Sequence, residues 1–96
     1  MNGTHPEIFF LPDRLTFETV GGVLDNTKQK IVAGKAMIIS LAKVMTIDSS
    51  SLALIVALIR ESQQHHAQLQ FCDPPEQLLK IIKVAGLESM IPFVSK

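Results

Sequence analysis

The sequence contains a single cysteine and no excess charge of either sign. Cys72 therefore has no partner for an internal disulfide, as is usual in a reducing compartment, and we interpret it as a small core or strand-end residue. Nine Lys plus Arg residues balance nine Asp plus Glu residues. Because this balance leaves no summed field to attract a phosphate backbone, we expect no nucleic-acid partner.

Long hydrophobic runs are also missing. The longest one, Leu52 to Ile59, is far shorter than the roughly 20 residues that span a bilayer. The N-terminal stretch MNGTHP lacks the charged and apolar regions of a signal peptide. We expect a cytoplasmic protein that does not insert directly into a membrane.

Residue patterns for catalysis are scarce. Glycine occurs only at positions 3, 21, 22, 34 and 86, which excludes a phosphate-cradling loop. His65, His66 and Cys72 lack the spacing of a zinc site. The serines at 49–51 have no GxSxG context, and both histidines lie far along the same predicted helix. We expect no catalytic, metal or cofactor site, and therefore a protein that is not an enzyme.

The chain has 96 residues, of which 47% are hydrophobic, so it is long enough for one compact domain and too short for two. We predict a loose N-terminal segment over residues 1–6 and one domain over 7–96. Short apolar segments alternate with helical patterns, in the order strand, helix, strand, helix, strand, helix. That order predicts a small α/β domain with a mostly parallel or mixed sheet and helices packed on it.

Three segments are predicted strands. Glu7 to Leu11 is apolar and stopped by Pro12, which is typical of an edge strand. Ala36 to Leu41 is apolar and partly β-branched, as expected of a central strand. Leu69 and Phe71 alternate with polar neighbours in a third, short strand.

The segment between Leu15 and Gly34 allows two interpretations. The alternation in RLTFETV, followed by Gly21-Gly22, predicts a strand, a turn and then a helix from Val23 to Val32. Apolar residues at steps of three and four instead predict one helix through both glycines, capped by Thr16 and ended by Gly34. The residues with that spacing are Phe17, Val20, Leu24, Thr27 and Ile31.

Two further helices are predicted. One extends from about Ser49 to His65, with Asp48 or Ser49 as its cap. The other begins at Asp73-Pro74-Pro75-Glu76, where an acidic cap precedes a proline and a glutamate, and it ends at Gly86.

The helix after Asp48 is apolar on two sides. Leu52, Ile55 and Ile59 can cover a sheet, whereas Leu54 and Leu58 point the opposite way. Either neighbouring elements cover these two leucines, or they form a docking patch together with the serines before them. The docking hypothesis assigns partner contacts to Asp48, Ser49, Ser50, Ser51, Leu54 and Leu58.

The stretch Ile-Asp-Ser-Ser-x-Leu-Ala-Leu at residues 47–54, with the strand before it and the helix after it, resembles a STAS domain. This module is shared by sulfate transporters and anti-sigma factor antagonists, and the likeness covers roughly residues 7–93. In that family the segment matching 15–32 leads from a strand into a helix, so the resemblance favours the single-helix interpretation.

Two branches of the family compete. Leu-Ala-Leu after the motif and the closing AGLESMIP look more like the MlaB-like subunit of the bacterial Mla phospholipid ABC transporter. That resemblance implies a subunit on the cytoplasmic side of the inner membrane that binds the transporter's ATPase and serves outer-membrane lipid asymmetry. Ser49 matches the hydroxyl residue used there at the ATPase contact.

The second branch is the anti-sigma factor antagonists, with the motif Asp-Ser-Ser-Gly-Leu. The resemblance implies that an anti-sigma factor kinase would bind this chain and phosphorylate Ser50, adding nearly two negative charges at the docking surface. Ser51 stands where both branches usually have glycine.

Overall fold

Nine short elements make up the chain between residues 6 and 94, which are the residues that the computed structural model describes. The predicted loose segment 1–6 lies outside this range except for Pro6. In chain order the elements are β1 (Glu7–Phe10), β2 (Arg14–Leu15), α1 (Val20–Lys28), β3 (Ala36–Ser40), β4 (Thr46–Ile47), α2 (Ser50–Gln64), β5 (Gln68–Cys72), α3 (Glu76–Ala85) and a 3-10 helix (Glu88–Met90).

The main sheet has the strand order β1-β3-β5, and both pairings are parallel. The predicted α/β class, the edge position of the first strand and the central position of the second are thus confirmed. The pattern did not predict β2 and β4, which form a separate parallel pair of two residues each. This small pair leads directly into α2.

One face of the main sheet carries the core. Ile39 is in register with Phe9 on one side and Phe71 on the other, so these three side chains share a face. Ile39 and Phe71 belong to the core cluster together with side chains of α2 and α3, and Phe9 and side chains of α1 pack against it. The helices therefore pack on this face of the sheet. Cys72 is fully buried at the end of β5, as its structural interpretation predicted.

Helix α1 passes through Gly21 and Gly22, so the single-helix interpretation is confirmed and the hairpin is wrong. Its predicted limits are wrong, however, because the helix starts at Val20 and ends at Lys28. The Thr16 carbonyl accepts hydrogen bonds from the Thr19 and Val20 amides, and the Thr19 hydroxyl accepts one from the Thr16 amide. This turn replaces the predicted first helical turn.

Helix α3 begins later than predicted. Its N-cap is Pro75, in an extended conformation, and not Asp73. A proline disfavours the helical conformation of the residue before it, so Pro75 keeps Pro74 out of the helix and the first helical residue is Glu76. The predicted C-terminal cap is confirmed, since Gly86 is left-handed with φ 73° and the Leu87 amide donates to the Ile82 carbonyl at 3.1 Å.

The longest helix, α2, has 15 residues. Within residues 6–94, no helix combines the length and the apolar character that crossing a membrane requires.

Alanine substitutions at two glycines test the backbone analysis. Gly22→Ala should stabilise the protein by about 0.5–1 kcal/mol, because Gly22 lies within a helix with open space around an added Cβ. Gly86→Ala should destabilise it by about 1 kcal/mol, because the left-handed conformation is strained for alanine although space is also open there. Urea denaturation measures both changes, and equal effects of the two substitutions would contradict the analysis.

Candidate functional site

The segment that leads into α2 lies beside the segment that leads into α1. The β2–β4 pairing places Leu15 next to Ile47, and the Asp48 amide donates to the Leu15 carbonyl at 3.3 Å. At the other end of the pair, the Met45 amide donates to the Asp13 carbonyl at 2.8 Å. The pair therefore brings the residues after Leu15 next to the residues after Ile47.

Asp48 joins these two segments through its carboxylate. Oδ2 accepts a hydrogen bond from the Phe17 amide at 3.0 Å, and Oδ1 accepts one from the Ser50 amide at 2.8 Å. Asp48 thus caps α2, as predicted, whereas Ser49 occupies the N-cap position without a side-chain cap bond. Hydrogen bonds lower the pKa of the Asp48 carboxyl below its ordinary value, first from the Phe17 amide and then from the Ser50 amide and the Ser50 side chain. Burial raises this pKa, but by less than the hydrogen bonds together lower it.

The three serines occupy different environments. Ser49 is exposed and Ser50 is half-buried. Ser51 is fully buried, and its hydroxyl donates to the Asp48 carbonyl at 2.7 Å. The predicted partner contact through Ser51 is therefore not possible in this structure, since its side chain points inward and stabilises the first turn of α2.

Leu54 and Leu58 are buried, with exposed fractions of 3% and 0%. The prediction that they form an exposed docking patch is wrong, and the alternative, that neighbouring elements cover them, is confirmed. The physical reason is that α2 contacts α1 and α3 as well as β5, so both of its apolar sides face other elements. Substitutions at Leu54 or Leu58 would therefore change the stability of the fold and would not test a surface contact.

The sequence pattern did not predict two exposed hydrophobic residues near the β2–β4 pair. Phe17 is 81% exposed and Met45 is 80% exposed. The apolar spacing predicts Phe17 on the apolar face of a helix, but Phe17 precedes α1. Its flanking residues Thr16 and Glu18 are the only sequence signal against burial. We define the serine tip as Phe17, Asp48, Ser49 and Ser50; Met45 lies at the opposite end of the β2–β4 pair.

The first amides of α2 already have acceptors. The Ser50 amide donates to the Asp48 carboxylate, the Ser51 amide to the Asp48 carbonyl, and the Leu52 amide to the Ser49 carbonyl. A ligand at this helix start would thus have to compete with internal bonds. The serine tip presents the exposed Phe17 side chain and the exposed Ser49, which suits contact with another protein.

A parallel sheet covered by helices, with an Asp-Ser-Ser tip at the start of the longest helix, defines a class of small α/β domain. The STAS domain family model matches residues 3–96. The chain belongs to the STAS domain family, as the motif indicated. No curated protein matches the chain at a significant level.

Two solved structures show the same fold. An anti-sigma-factor antagonist (STAS) domain protein from Planctomyces limnophilus has 14% identity and a TM-score of 0.78, and the match covers 100% of this chain and 88% of that protein. The anti-sigma factor antagonist SpoIIAA in its unphosphorylated form has 17% identity and a TM-score of 0.71, with coverage of 99% and 86%. At these identities the likeness concerns the fold alone.

Removal of the Asp48 charge tests the connection between the two segments. A group whose folded pKa is lowered stabilises the fold above its unfolded pKa, and that contribution is lost as the pH falls through the folded pKa. Asp48→Asn should therefore be less stable than wild type at pH 7, and the difference should shrink as the pH falls below 3.8, the ordinary pKa of the group.

Urea denaturation at neutral pH and at about pH 2.5 measures this dependence. Asp13→Asn is the control, since it removes a neighbouring exposed carboxylate that bridges no segments. A difference between wild type and Asp48→Asn that stays constant with pH would contradict the role of the charge.

Proposed function

We propose that this protein is a non-catalytic accessory subunit that binds the ATPase of a bacterial phospholipid-transporting ABC complex of the Mla type. The observation that carries the proposal is the serine tip, where Phe17 is exposed beside Ser49 and Asp48 holds both segments in place. A preformed tip with an aromatic side chain can bind a partner without first becoming ordered.

A binding role without catalysis is supported by the position of potential bases. A nucleophilic serine needs a base within hydrogen-bond reach. His65 lies at the far end of α2, about 24 Å along the helix from Ser49, and its ring is hydrogen-bonded to Glu61 at 3.1 Å. The Ser51 hydroxyl is committed to the Asp48 carbonyl.

Support for the transporter branch comes from the sequence likeness at Leu-Ala-Leu and at AGLESMIP. In the structure the second stretch contains the α3 cap and the 3-10 helix and ends beside Phe93, which bridges Phe71 of β5. An exposed Phe17 favours a lasting subunit contact, because a large apolar side chain gains most from permanent coverage. The protein would then lie on the cytoplasmic side of the inner membrane through its complex.

Two substitutions at the serine tip test this proposal. Phe17→Glu and Ser49→Arg should each reduce recovery of the ATPase at least about tenfold, since they place charge at the contact. Both positions are exposed, so the fold should be retained. The measurement is quantitative mass spectrometry of proteins that co-purify with the tagged chain from gently solubilised membranes.

Val84→Glu is the matched control, since Val84 is 89% exposed on α3 and its substitution introduces the same charge away from the tip. We expect the wild-type chain and Val84→Glu to recover the ATPase together with its permease. Undiminished recovery with Phe17→Glu and Ser49→Arg, or no ATPase with wild type, would refute the proposal.

The second candidate is an anti-sigma factor antagonist switched by phosphorylation of Ser50. It is supported by the half-buried Ser50 at the start of α2 and by the inward direction of Ser51. Because the Ser51 side chain is buried, serine in place of the family's glycine leaves the surface around Ser50 unchanged. A phosphate there would also stand beside the Asp48 carboxylate and repel it.

Under this candidate, the chain purified from its native cells should carry phosphate on Ser50, and a kinase should co-purify in place of the ATPase. Ser50→Ala should bind the kinase without being labelled, whereas Ser50→Asp should bind it more weakly. Intact-mass and peptide mass spectrometry with Ser49→Ala as the control measures this. An absence of phosphate on Ser50 while a kinase is bound and active would contradict the switch.

A further inference from the structure

The outer face of α3 carries one hydrophobic residue between opposite charges. Leu78 and Ile82 face the core and are at most 1% exposed, whereas Leu79 is 43% exposed. Glu76 precedes Leu79 by three residues and Lys83 follows it by four, so the three side chains lie on one side of the helix. Both charged residues are exposed.

An open groove of about 430 Å³ runs beside Leu79. Its wall opposite α3 includes Glu88 and Phe93, while Lys80 and Lys83 belong to the α3 wall. A side chain from another molecule can therefore enter next to Leu79 and contact Phe93. This surface shares no residue with the serine tip.

The charges of this face have no internal partners in ion pairs. Over residues 6–94 the ion pairs are Lys28 with Asp25 and His65 with Glu61. Glu76 and Lys83 take part in neither, so both are available to an approaching molecule.

We infer that the outer face of α3 binds a second copy of this chain, with the two helices antiparallel across a two-fold axis. Glu76 and Lys83 are seven residues apart, about 10.5 Å along the helix, and Leu79 lies within about 1 Å of the midpoint. Antiparallel packing about this midpoint places Glu76 of each copy opposite Lys83 of the other and brings the two Leu79 side chains together.

The order of the charges along α3 favours a second copy of the chain as the partner, with the two helices antiparallel. A parallel pair would place like charges opposite each other, whereas the antiparallel pair forms the ion pair between Glu76 and Lys83 twice and also opposes the two helix dipoles. A two-fold interface needs a surface that is complementary to itself, and the order Glu-Leu-Lys along α3 satisfies this requirement. The inference goes beyond the proposed function, because the serine tips of both copies stay accessible.

Charge reversal gives a direct test by sedimentation equilibrium at concentrations up to about 1 mM, where even a weak dimer is populated. Wild type should dimerise. Glu76→Lys and Lys83→Glu, each alone, should raise the dimer dissociation constant about tenfold or more, since two attractive contacts become repulsive. An equimolar mixture of these two variants should dimerise again, because every Lys then faces a Glu.

Restoration in the mixture separates the inferred contact from misfolding, and circular dichroism of each variant checks the helices directly. The control is Lys35→Glu, an exposed charge reversal away from α3, which should dimerise like wild type. Leu79→Ala should weaken the dimer, and high salt should weaken it further.

A wild-type protein that stays monomeric, dimers that persist in both single variants, or a mixture no better than its components would each overturn the inference. A failure of the proposed function is distinguishable from a failure of this inference, because Phe17→Glu should no longer recover the ATPase and should still dimerise in sedimentation equilibrium.

Discussion

The burial of α2 on several sides is the constraint from which the rest of the architecture follows. Its leucines and isoleucines cover both the sheet side and the opposite side, so a sheet alone could not remove them from water. Helices α1 and α3 both contact α2; α2 and α3 share one core cluster with the sheet, and α1 packs against it. The serine tip lies at the N-terminal end of this helix.

The tip depends on Asp48 more than on any serine. Its carboxylate accepts two hydrogen bonds. One comes from the Phe17 amide, 31 residues earlier in the sequence, and the other from the Ser50 amide, two residues later. Those bonds place the backbone of Phe17 beside the start of α2 and provide acceptors for both amides. A surface held in this way is ordered before a partner arrives, which favours a binding role on either proposed branch.

Errors in the sequence-based predictions have identifiable physical causes. The acidic residue, proline and glutamate at residues 73–76 form a familiar cap pattern that predicts a cap at Asp73, but the second proline prevents Pro74 from being helical. The docking hypothesis for Leu54 and Leu58 is wrong because helical periodicity gives the direction of a side chain and not the elements that cover it. Phe17 had the spacing of a helix face, yet a turn at Thr16 ends the preceding segment before the helix begins.

The sequence by itself determined the α/β class, the parallel strand order, the cap at Gly86 and the family to which the motif at residues 47–54 belongs. These features depend on local chemistry, namely strand and helix periods, the left-handed conformation of a glycine and the residue order around Asp48. Only the tertiary structure decided that both apolar sides of α2 are covered, that Ser51 points inward and that Phe17 is exposed. Each of these depends on which elements pack together, and residues distant in sequence supply those contacts.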